Sequence, residues 1–320
     1  MCFLLLVGLL AAAADGELSA EQLTPAALQQ QRGKLVPLER HGLKFELFLP
    51  LSWQPPSAGD DGSATNLPPV LIFLHGRGES GAFEVTNAQS LPLQLLTNHT
   101  FTERFPFIVV VPQCPTKCMM QNHWLSSTLQ GVTALVREWV LHQPDGSGVG
   151  GDRSRVYLAG QSMGGHGAWI YAAQQPRLFA AVVVVCGYMQ GSRETRTITE
   201  RLARTRLPVA VYHSADDVVI PVFASDKAVA ALRALGYEGG SGGTDDIRPL
   251  RYVRYDHAPG PPIEEFANLV GHGSYELAFR DGELYTWLLS QRCTRCAARP
   301  HVAWHALDAG GGHGEVERRV

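Results

Sequence analysis

Residues 156–169 read VYLAGQSMGGHGAW, and this stretch indicates the fold more strongly than any other part of the chain. Residues 156–159 are apolar and predict a strand, whereas residues 164–174 carry apolar side chains at the spacing of a helix. Residues 160–164 between them match G-x-S-x-G, a tight turn that lifts a serine out of a strand and into a helix start. We expect Ser162 to stand on this turn, with no room for a Cβ atom at Gly160 or Gly164.

A second copy of the pattern occurs at Gly239-Gly240-Ser241-Gly242-Gly243. That copy lies in the glycine-rich stretch GYEGGSGGTDD at residues 236–246, with no predicted strand before it and no predicted helix after it. The strand-turn-helix context that the pattern requires is therefore present only at Ser162.

Strand-like and helix-like segments alternate on both sides of this turn. The predicted strands are residues 43–49, 70–75, 107–111, 156–159, 181–185, 209–212 and 250–255. The predicted helices are residues 129–141, 164–174, 223–235 and 276–289. Several strands are apolar throughout, as in a parallel sheet whose two faces are both covered by helices. We therefore predict an α/β fold with a mostly parallel central sheet in one domain, and loops at residues 54–68 and 236–246 as surface insertions.

Composition places the chain among globular proteins. The 320 residues are 45% hydrophobic and 18% charged, which is too apolar for a disordered chain. The formal net charge is −3, from 27 basic and 30 acidic residues, with a pI near 6.5. Such a balance provides no electrostatic footprint for nucleic acid or for an anionic membrane, so we expect neither as a partner.

The two ends of the chain differ from its centre. Residues 1–14 contain an apolar run that is too short to span a bilayer and that ends in small residues, which predicts a signal peptide and secretion. No positive charge precedes the run, so a mis-annotated start or a short membrane-associated tail stays open. No other segment approaches about 18 apolar residues, and we expect no stable membrane insertion. Residues 15–42 are interpreted as a lead-in, residues 43–291 as the domain, and residues 292–320 as a flexible tail.

Four of the six cysteines form two close pairs, Cys114 with Cys118 and Cys293 with Cys296. In an oxidising compartment each pair could form a local disulfide, whereas Cys186 ends an apolar run and is interpreted as a small buried hydrophobe. A zinc site in the tail, from Cys293-x2-Cys296 and His301-x3-His305, is the competing interpretation. Only four residues separate the two pairs, too few for the usual finger spacing, so we expect no metal and no other cofactor.

A serine hydroxyl becomes a useful nucleophile when an imidazole accepts its proton and a carboxylate orients that imidazole. Asp216 and Asp217 follow strand 209–212, at the edge of the sheet where catalytic groups gather, and one of them is expected to be the orienting acid. His257 and His272 both follow strand 250–255. His272, flanked by glycines just before a helix, is the preferred base, and His257 remains the alternative.

The remaining histidines are interpreted as structural. His75 precedes Ser162 in the chain, whereas the base of this type of fold comes last, so His75 is expected to brace its loop. His123, His166 and His213 are interpreted as structural or pocket-lining, and most simply as satisfied polar side chains near the surface.

Two backbone N–H groups are candidates to stabilise a developing oxyanion. The N–H of Met163 follows the nucleophile at the start of a helix. The N–H of Arg77 lies in the glycine-rich turn HGRGESG, directly after strand 70–75. The two groups together predict an oxyanion hole beside Ser162.

From about residue 43 to residue 291, the chain resembles the α/β-hydrolase superfamily, and more narrowly its phospholipase/carboxylesterase branch, which includes bacterial predicted peptidases and feruloyl-esterase-like proteins. The segments that carry the resemblance are LIFLHGRGESG, VVVPQCP, DRSRVYLAGQSMGGHGAW, HSADDVVIPV and GHGSYELAFRDGELYTWLLSQR. The resemblance implies Asp217 as the acid and His272 as the base, and hence a triad of Ser162, Asp217 and His272. Tyr275 replaces the family's usual tryptophan, and residues 256–270 form a longer approach to His272 than is usual.

The sequence thus predicts a secreted serine hydrolase that cleaves a carboxylic ester through an acyl-enzyme, a carboxylesterase of the EC 3.1.1 class. Its expected partner is a small ester or acyl substrate. A serine peptidase or an acyl thioesterase would use the same triad. A catalytically silent protein that uses the fold for binding is the alternative from another class, and a zinc-dependent hydrolase is a third.

Overall fold

The structure, a computed structural model, describes residues 18–20, 23–56, 67–81, 90–143, 145–238 and 248–296. The signal peptide expected at residues 1–14, the second G-x-S-x-G at residues 239–243 and the two tail histidines lie outside the described residues.

The strands are β1 (Leu18–Ser19), β2 (Leu35–Arg40), β3 (Leu43–Phe48), β4 (Val70–Leu74), β5 (Ile108–Pro112), β6 (Val156–Gln161), β7 (Ala181–Val185), β8 (Val209–Ser214), β9 (Tyr237–Glu238) and β10 (Arg248–Tyr255). The helices are α1 (Pro25–Gln30), α2 (Ser90–Thr97), α3 (His99–Arg104), α4 (Thr116–Gln121), α5 (Ser126–Leu135), α6 (Met163–Gln174), α7 (Gly191–Thr205), α8 (Phe223–Ala234), α9 (Ser274–Ala278) and α10 (Gly282–Ser290).

The strands form one sheet in the order β1-β2-β3-β5-β4-β6-β7-β8-β10-β9. The seven strands β5, β4, β6, β7, β8, β10 and β9 are neighbours in this order, and each neighbouring pair is parallel. β3 is antiparallel to both β2 and β5. The predicted α/β class with a mostly parallel sheet is therefore confirmed. β6 lies near the middle of the sheet, so the turn that follows it opens at the centre of the sheet's carboxyl edge.

Both faces of the sheet are buried. In β4, Val70, Ile72 and Leu74 pack into one hydrophobic cluster, whereas Leu71 and Phe73 pack into a second cluster on the opposite face. All five side chains are fully buried. A strand with two buried faces needs apolar residues at every position, which is why several predicted strands, residues 70–75 among them, are continuous apolar runs.

The interpretation of residues 15–42 as a lead-in is wrong, because this segment contributes β1 and β2 to the sheet. β2 pairs with β3 along its whole length, and Pro37 lies opposite Glu46 in the ladder. Proline in an apolar run argues against a strand because it lacks the N–H that a ladder uses. A strand near the edge of a sheet tolerates the missing N–H. The proline is the reason why β2 was not predicted.

Helix boundaries also differ from the prediction. α7 was not predicted, because its sequence GSRETRTITERLART is mostly polar. Only a narrow stripe of this helix is buried, formed by Thr195, Ile198, Thr199, Leu202 and Ala203. The helix expected at residues 276–289 is divided into α9 and α10, because the Asp281 side chain accepts a hydrogen bond from the Glu283 N–H and starts a new helix.

Both cysteine pairs are disulfides, Cys114–Cys118 and Cys293–Cys296, and Cys186 is free and buried. Residues 292–296 dock onto the domain, which differs from the tail expected from residue 292 onward. The Cys293 N–H donates to the Ser154 carbonyl at 2.9 Å, and the Arg292 guanidinium donates to the Ser154 hydroxyl at 3.1 Å. The tail cysteines thus lack the free thiolates that a zinc site requires.

Among the helices that the structure describes, none is long and apolar enough to cross a bilayer.

Candidate active site

Ser162 occupies the turn between β6 and α6, as the sequence predicted. Its backbone has φ of +54° and ψ of −119°. A positive φ is unfavourable for a serine and is retained where the surrounding structure enforces it. The Ser162 N–H donates to the Val185 carbonyl at 3.0 Å, and the Ser162 carbonyl accepts from the His166 N–H at 3.1 Å. The nucleophile is therefore held by the neighbouring strand β7 and by the first turn of α6.

The glycines of the pattern are required by close backbone contacts. A Cβ atom on Gly160 would lie 2.1 Å from the Gly164 carbonyl oxygen. A Cβ atom on Gly164 would lie 2.0 Å from the Leu74 carbonyl oxygen. Both distances are far below van der Waals contact, so the expectation that neither position has room for a side chain is confirmed. This close packing brings the end of β4 against the nucleophile turn.

Two loops at the same edge of the sheet carry Asp217 and His272, the candidate acid and the candidate base. Asp217 follows β8, and His272 lies between β10 and α9. The loops touch at Gly271, where φ is +80° and a Cβ atom would lie 2.3 Å from the Asp217 nitrogen. The Val218 N–H also donates to the Val270 carbonyl at 3.2 Å. Glycine at position 271 thus allows the histidine loop to lie directly against the acid loop.

A continuous chain of hydrogen bonds joins Asp217, His272 and Ser162. The His272 Nδ1 atom lies 3.0 Å from one Asp217 carboxylate oxygen and 3.2 Å from the other. The His272 Nε2 atom lies 3.0 Å from the Ser162 hydroxyl oxygen. A carboxylate can only accept, so Nδ1 carries the proton and Nε2 is left as the acceptor for the serine proton. This is the tautomer that a general base needs.

The Asp217 carboxylate is buried and well supplied with donors. The Val219 and Ile220 N–H groups donate to it at 2.8 and 2.9 Å. The His213 Nε2 atom lies 3.1 Å from the Asp217 Oδ2 atom, the same oxygen that lies 3.0 Å from the His272 Nδ1 atom. Burial by itself would raise the pKa of Asp217, but the hydrogen bonds from His213 and His272 hold this pKa well below its ordinary value. Asp217 therefore remains an anion beside His272.

Sequence reasoning missed the role of His213. We interpreted it as structural or pocket-lining, and most simply as a side chain near the surface. The surface placement is wrong, because His213 is fully buried in β8. Its Nδ1 atom lies 2.7 Å from the Ser225 hydroxyl, and its Nε2 atom also faces the Ile220 carbonyl at 2.8 Å. The available signal was its position in a strand that is apolar on both faces, where a polar side chain needs buried partners.

His166 was also expected near the surface, and it too is buried. Its Nε2 atom lies 3.3 Å from the Glu194 carboxylate, and its ring stacks on Tyr188 with centroids 4.6 Å apart. His123 is half-buried, and its Nδ1 atom lies 3.1 Å from the Gln121 carbonyl. Neither histidine is hydrogen-bonded to the three residues of the candidate triad.

The two alternatives left open by sequence reasoning, Asp216 and His257, pair with each other outside the site. The His257 Nδ1 atom lies 3.3 Å from the Asp216 carboxylate, and the His257 side chain is 88% exposed. Asp216 also accepts hydrogen bonds from the Ser214 hydroxyl and the Ala258 N–H. The structure therefore brings Asp217 and His272 to Ser162, and it leaves their neighbours of like chemistry at the surface.

The candidate oxyanion hole lies between Gly76 and the start of α6. A Cβ atom on Gly76 would lie 3.7 Å from the Ser162 Cβ atom, so the turn before Arg77 lies against the nucleophile. Arg77 begins a short 3₁₀ helix, Arg77–Glu79, and Met163 begins α6. The first N–H groups of a helix have no intrahelical acceptor, so the N–H groups of Arg77 and Met163 are candidate donors at this end of the sheet.

His75 braces this turn, as the sequence predicted, and both of its ring nitrogens contact backbone groups. It is fully buried, its Nε2 atom accepts from the Cys114 N–H at 3.0 Å, and its Nδ1 atom lies 2.7 Å from the Gly76 carbonyl. Burial lowers the pKa of His75 to about 4, so the ring is neutral at physiological pH. The Trp124 indole donates to the His75 carbonyl at 3.2 Å.

Two further side chains form the wall behind the base. Tyr275, at the position of the family's usual tryptophan, is buried and meets the His272 ring edge-on with centroids 6.4 Å apart. The Cys186 sulfur lies within 4.8 Å of ligand atoms of Asp217 and His272. Burial raises the pKa of the Cys186 thiol well above its ordinary value, so it remains a neutral thiol and a poor metal ligand.

A parallel sheet with helices on both faces, and a serine on the turn after its central strand, define an α/β-hydrolase. The chain belongs to the esterase family, because the family described as "Putative esterase" matches residues 41–232, which is more than half of its length.

Solved structures agree with the fold. A thermostable esterase is 24% identical with a TM-score of 0.55, over 78% of this chain and 59% of that one, so this chain spans about three fifths of that esterase. The S954A mutant of a feruloyl esterase module from Clostridium thermocellum, complexed with sinapinate, is 17% identical with a TM-score of 0.50, over 82% of this chain and 87% of that one. No curated protein sequence matches the chain.

Proposed function

We propose that the protein is a serine carboxylesterase that works through an acyl-enzyme, with Ser162 as nucleophile, His272 as general base and then acid, and Asp217 as the orienting carboxylate. The observation that carries the proposal is the unbroken hydrogen-bond chain from Asp217 through His272 to the Ser162 hydroxyl. The strained turn that presents Ser162 is a second support, because such strain collects at functional sites.

In the first half of the reaction, the Ser162 oxygen attacks the ester carbonyl carbon while its proton passes to the His272 Nε2 atom. The carbonyl oxygen becomes an oxyanion, which the N–H groups of Arg77 and Met163 stabilise. The His272 imidazolium then gives its proton to the leaving alcohol, and the acyl group stays on Ser162. A water molecule attacks that acyl group with His272 again as base, and the carboxylic acid leaves.

The apolar side chains around the acid and base loops fit an ester with an apolar part. Val218, Val219 and Val270 belong to the segments that hold Asp217 and His272, yet they remain 65%, 43% and 46% exposed. Exposed apolar groups beside a reaction site are favourable contacts for apolar substrate groups. Esters, thioesters and amides share this machinery, so the bond preference is a matter for direct assay.

The test is labelling with a fluorophosphonate, read by intact mass, for the wild type and Ser162→Ala, together with hydrolysis of p-nitrophenyl esters of increasing chain length. The serine of the second G-x-S-x-G pattern provides a matched control as Ser241→Ala. We expect one adduct on the wild type and on Ser241→Ala, and neither adduct nor ester turnover for Ser162→Ala. Parallel thioester and amide substrates rank the three bond types.

A folded wild type that takes up no label and turns over no ester, thioester or amide would overturn the proposal and favour a silent binding protein. A label that persists on Ser162→Ala and disappears from Ser241→Ala would identify Ser241 as the nucleophile.

We also propose that the protein is secreted, or matures in another oxidising compartment. The support is the pair of local disulfides, Cys114–Cys118 and Cys293–Cys296, since such bonds persist in oxidising surroundings. The predicted signal peptide points the same way.

A further inference from the structure

The Glu79 carboxyl is a buried titratable group that the proposed mechanism does not use. Glu79 is 1% exposed and ends the short 3₁₀ helix that begins at Arg77. One of its carboxyl oxygens, Oε2, accepts a hydrogen bond from the Gly76 N–H at 2.6 Å. The Glu79 carbonyl accepts from the Gln113 side chain at 2.7 Å. Both the side chain and the backbone carbonyl of Glu79 are therefore hydrogen-bonded, next to the turn that contains Arg77.

The same carboxyl also reaches the nucleophile turn. The side-chain amide of Gln161 contacts it, and Gln161 is the buried last residue of β6, directly before Ser162. A Cβ atom on Gly76 would lie 2.9 Å from the Glu79 Oε2 atom and 3.7 Å from the Ser162 Cβ atom. One carboxyl thus links the residue before the oxyanion donor Arg77 to the residue before the nucleophile.

The surroundings of the carboxyl favour its neutral form. Burial raises the pKa of Glu79 to about 8, and the nearby acids Glu276 and Glu46 act in the same direction. The Gly76 N–H and the Gln161 amide oppose this shift in the pKa of Glu79, but they do not offset it. Tyr275 also faces the carboxyl, and the burial of that phenol keeps it neutral, because it raises the Tyr275 pKa well above its usual range.

The hydrogen-bond pattern indicates which Glu79 oxygen carries the proton of the neutral acid. Within the described part of the chain, the second Glu79 oxygen, Oε1, and the Gln161 Oε1 atom are buried acceptors without a hydrogen-bond partner. A proton on the Glu79 Oε1 atom would provide the missing donor, since a protonated carboxyl donates through one oxygen and accepts through the other. With a proton on Oε1, the neutral acid still accepts from the Gly76 N–H through Oε2, and it has a donor on the oxygen that otherwise lacks a partner.

We propose that Glu79 is a positioning residue for ester hydrolysis: in its protonated form it ties the oxyanion turn at Gly76 to the nucleophile turn at Gln161. The role rests on the proposed serine-hydrolase function. Loss of the proton removes the donor and places an anion in a buried site beside two other acids, which loosens the link between the two turns. Activity should therefore have an alkaline limit that Glu79 sets.

The test compares Glu79→Gln and Glu79→Ala with the wild type, and uses the exposed Glu103→Gln as a matched control. Steady-state rates on a p-nitrophenyl ester are measured from pH 6 to pH 10, at a wavelength where product absorbance does not depend on pH. Melting temperatures and fluorophosphonate labelling at pH 7 verify that each variant is folded and that Ser162 reacts.

We expect the wild type and Glu103→Gln to lose activity above about pH 8. Glu79→Gln is a neutral isostere that accepts and donates as the protonated acid does, so it should match the wild-type rate at pH 7 and lack the alkaline decline. Glu79→Ala should lower kcat about 10- to 100-fold at pH 7 with little change in KM, because misplaced catalytic groups reduce turnover more than binding. Should the alanine variant not fold, Glu79→Gln carries the test alone.

An active wild type whose alkaline decline persists in Glu79→Gln overturns the role of Glu79 and leaves the proposed function standing. The same conclusion follows if Glu79→Gln is slow at every pH, or if the wild type shows no alkaline decline up to pH 10. A folded wild type that neither hydrolyses esters nor takes up the label overturns the proposed function, and the positioning role with it.

Discussion

Neighbouring side chains of identical chemistry take different positions around Ser162. Asp217 is buried and accepts four hydrogen bonds, whereas Asp216, one residue earlier, faces the exposed His257. Desolvation strengthens the interaction of a carboxylate with an imidazole, so the buried pair can orient a base and the exposed pair contributes little.

This contrast provides a matched pair of variants. Asp217→Asn should lower kcat by about 10³- to 10⁴-fold, because an amide in place of the carboxylate no longer holds the His272 tautomer that accepts the serine proton. Asp216→Asn should stay within a few-fold of the wild type. Steady-state kinetics at pH 7, with melting curves for both variants, are the measurement.

Equal losses in the two variants would contradict the assignment of Asp217 as the orienting acid. A large loss in Asp216→Asn alone would identify the exposed pair as the functional one, which the geometry opposes.

At the scale of elements, the site depends on how closely two loops approach each other at the carboxyl edge of the sheet. The loop after β8 carries Asp217, the proposed acid, and the loop before α9 carries His272, the proposed base. They meet at Gly271, where a side chain would have to occupy the space of the Asp216–Asp217 peptide bond. Glycine there is a requirement of the contact between loops as well as of its positive φ.

Gly271→Ala should therefore lower both stability and turnover. We expect a loss of at least about 1 kcal/mol in the free energy of unfolding and a fall in kcat, since the loop that carries His272 must withdraw from Asp217. Gly282→Ala is the matched control, because no atom lies within 4 Å of its Cβ position at the start of α10. Urea unfolding and ester kinetics on both variants test this.

Gly271→Ala with unchanged kcat would show that the two loops can separate without cost to the reaction. The control should unfold at equal or slightly higher urea concentration than the wild type, because alanine favours a helix over glycine.

Across the whole molecule, the two disulfides close very short loops, with sequence separations of 4 and 3 residues. Short loops remove little entropy from the unfolded chain, so these bonds constrain their own segments more than they stabilise the fold. One of those segments adjoins the oxyanion turn, since the Gly81 N–H donates to the Cys114 carbonyl at 2.8 Å.

If the protein matures in an oxidising compartment, as proposed, the number of free thiols in the mature chain can be predicted. After denaturation without reductant, alkylation should modify only the thiol of Cys186, provided that the N-terminal apolar run with Cys2 has been removed. After reduction, alkylation should also modify the four disulfide cysteines. Intact mass spectrometry of protein from a secreting host measures the number of alkylated cysteines before and after reduction. Free thiols at Cys114 and Cys118 in that protein would contradict the proposal.

Much of the architecture was predictable because the parallel sheet imposes a simple rule on sequence. All seven predicted strands are present within two residues of their expected ends. Strands such as β4 and β7 were predictable because burial on both faces requires unbroken apolar runs. The rule failed where burial is partial. Pro37 obscured β2 near the sheet edge, and the polar surface of α7 hid its narrow apolar stripe.

The sequence by itself determined the fold class and the position of Ser162, because local strand, turn and helix signals coincide within fourteen residues. It narrowed the acid to Asp216 or Asp217 and favoured His272 over His257. Only the tertiary structure decided which side chains meet, and it alone revealed the buried partners His213 and Glu79. Burial, hydrogen-bond partners and pKa depend on segments far apart in the chain, which local patterns do not encode.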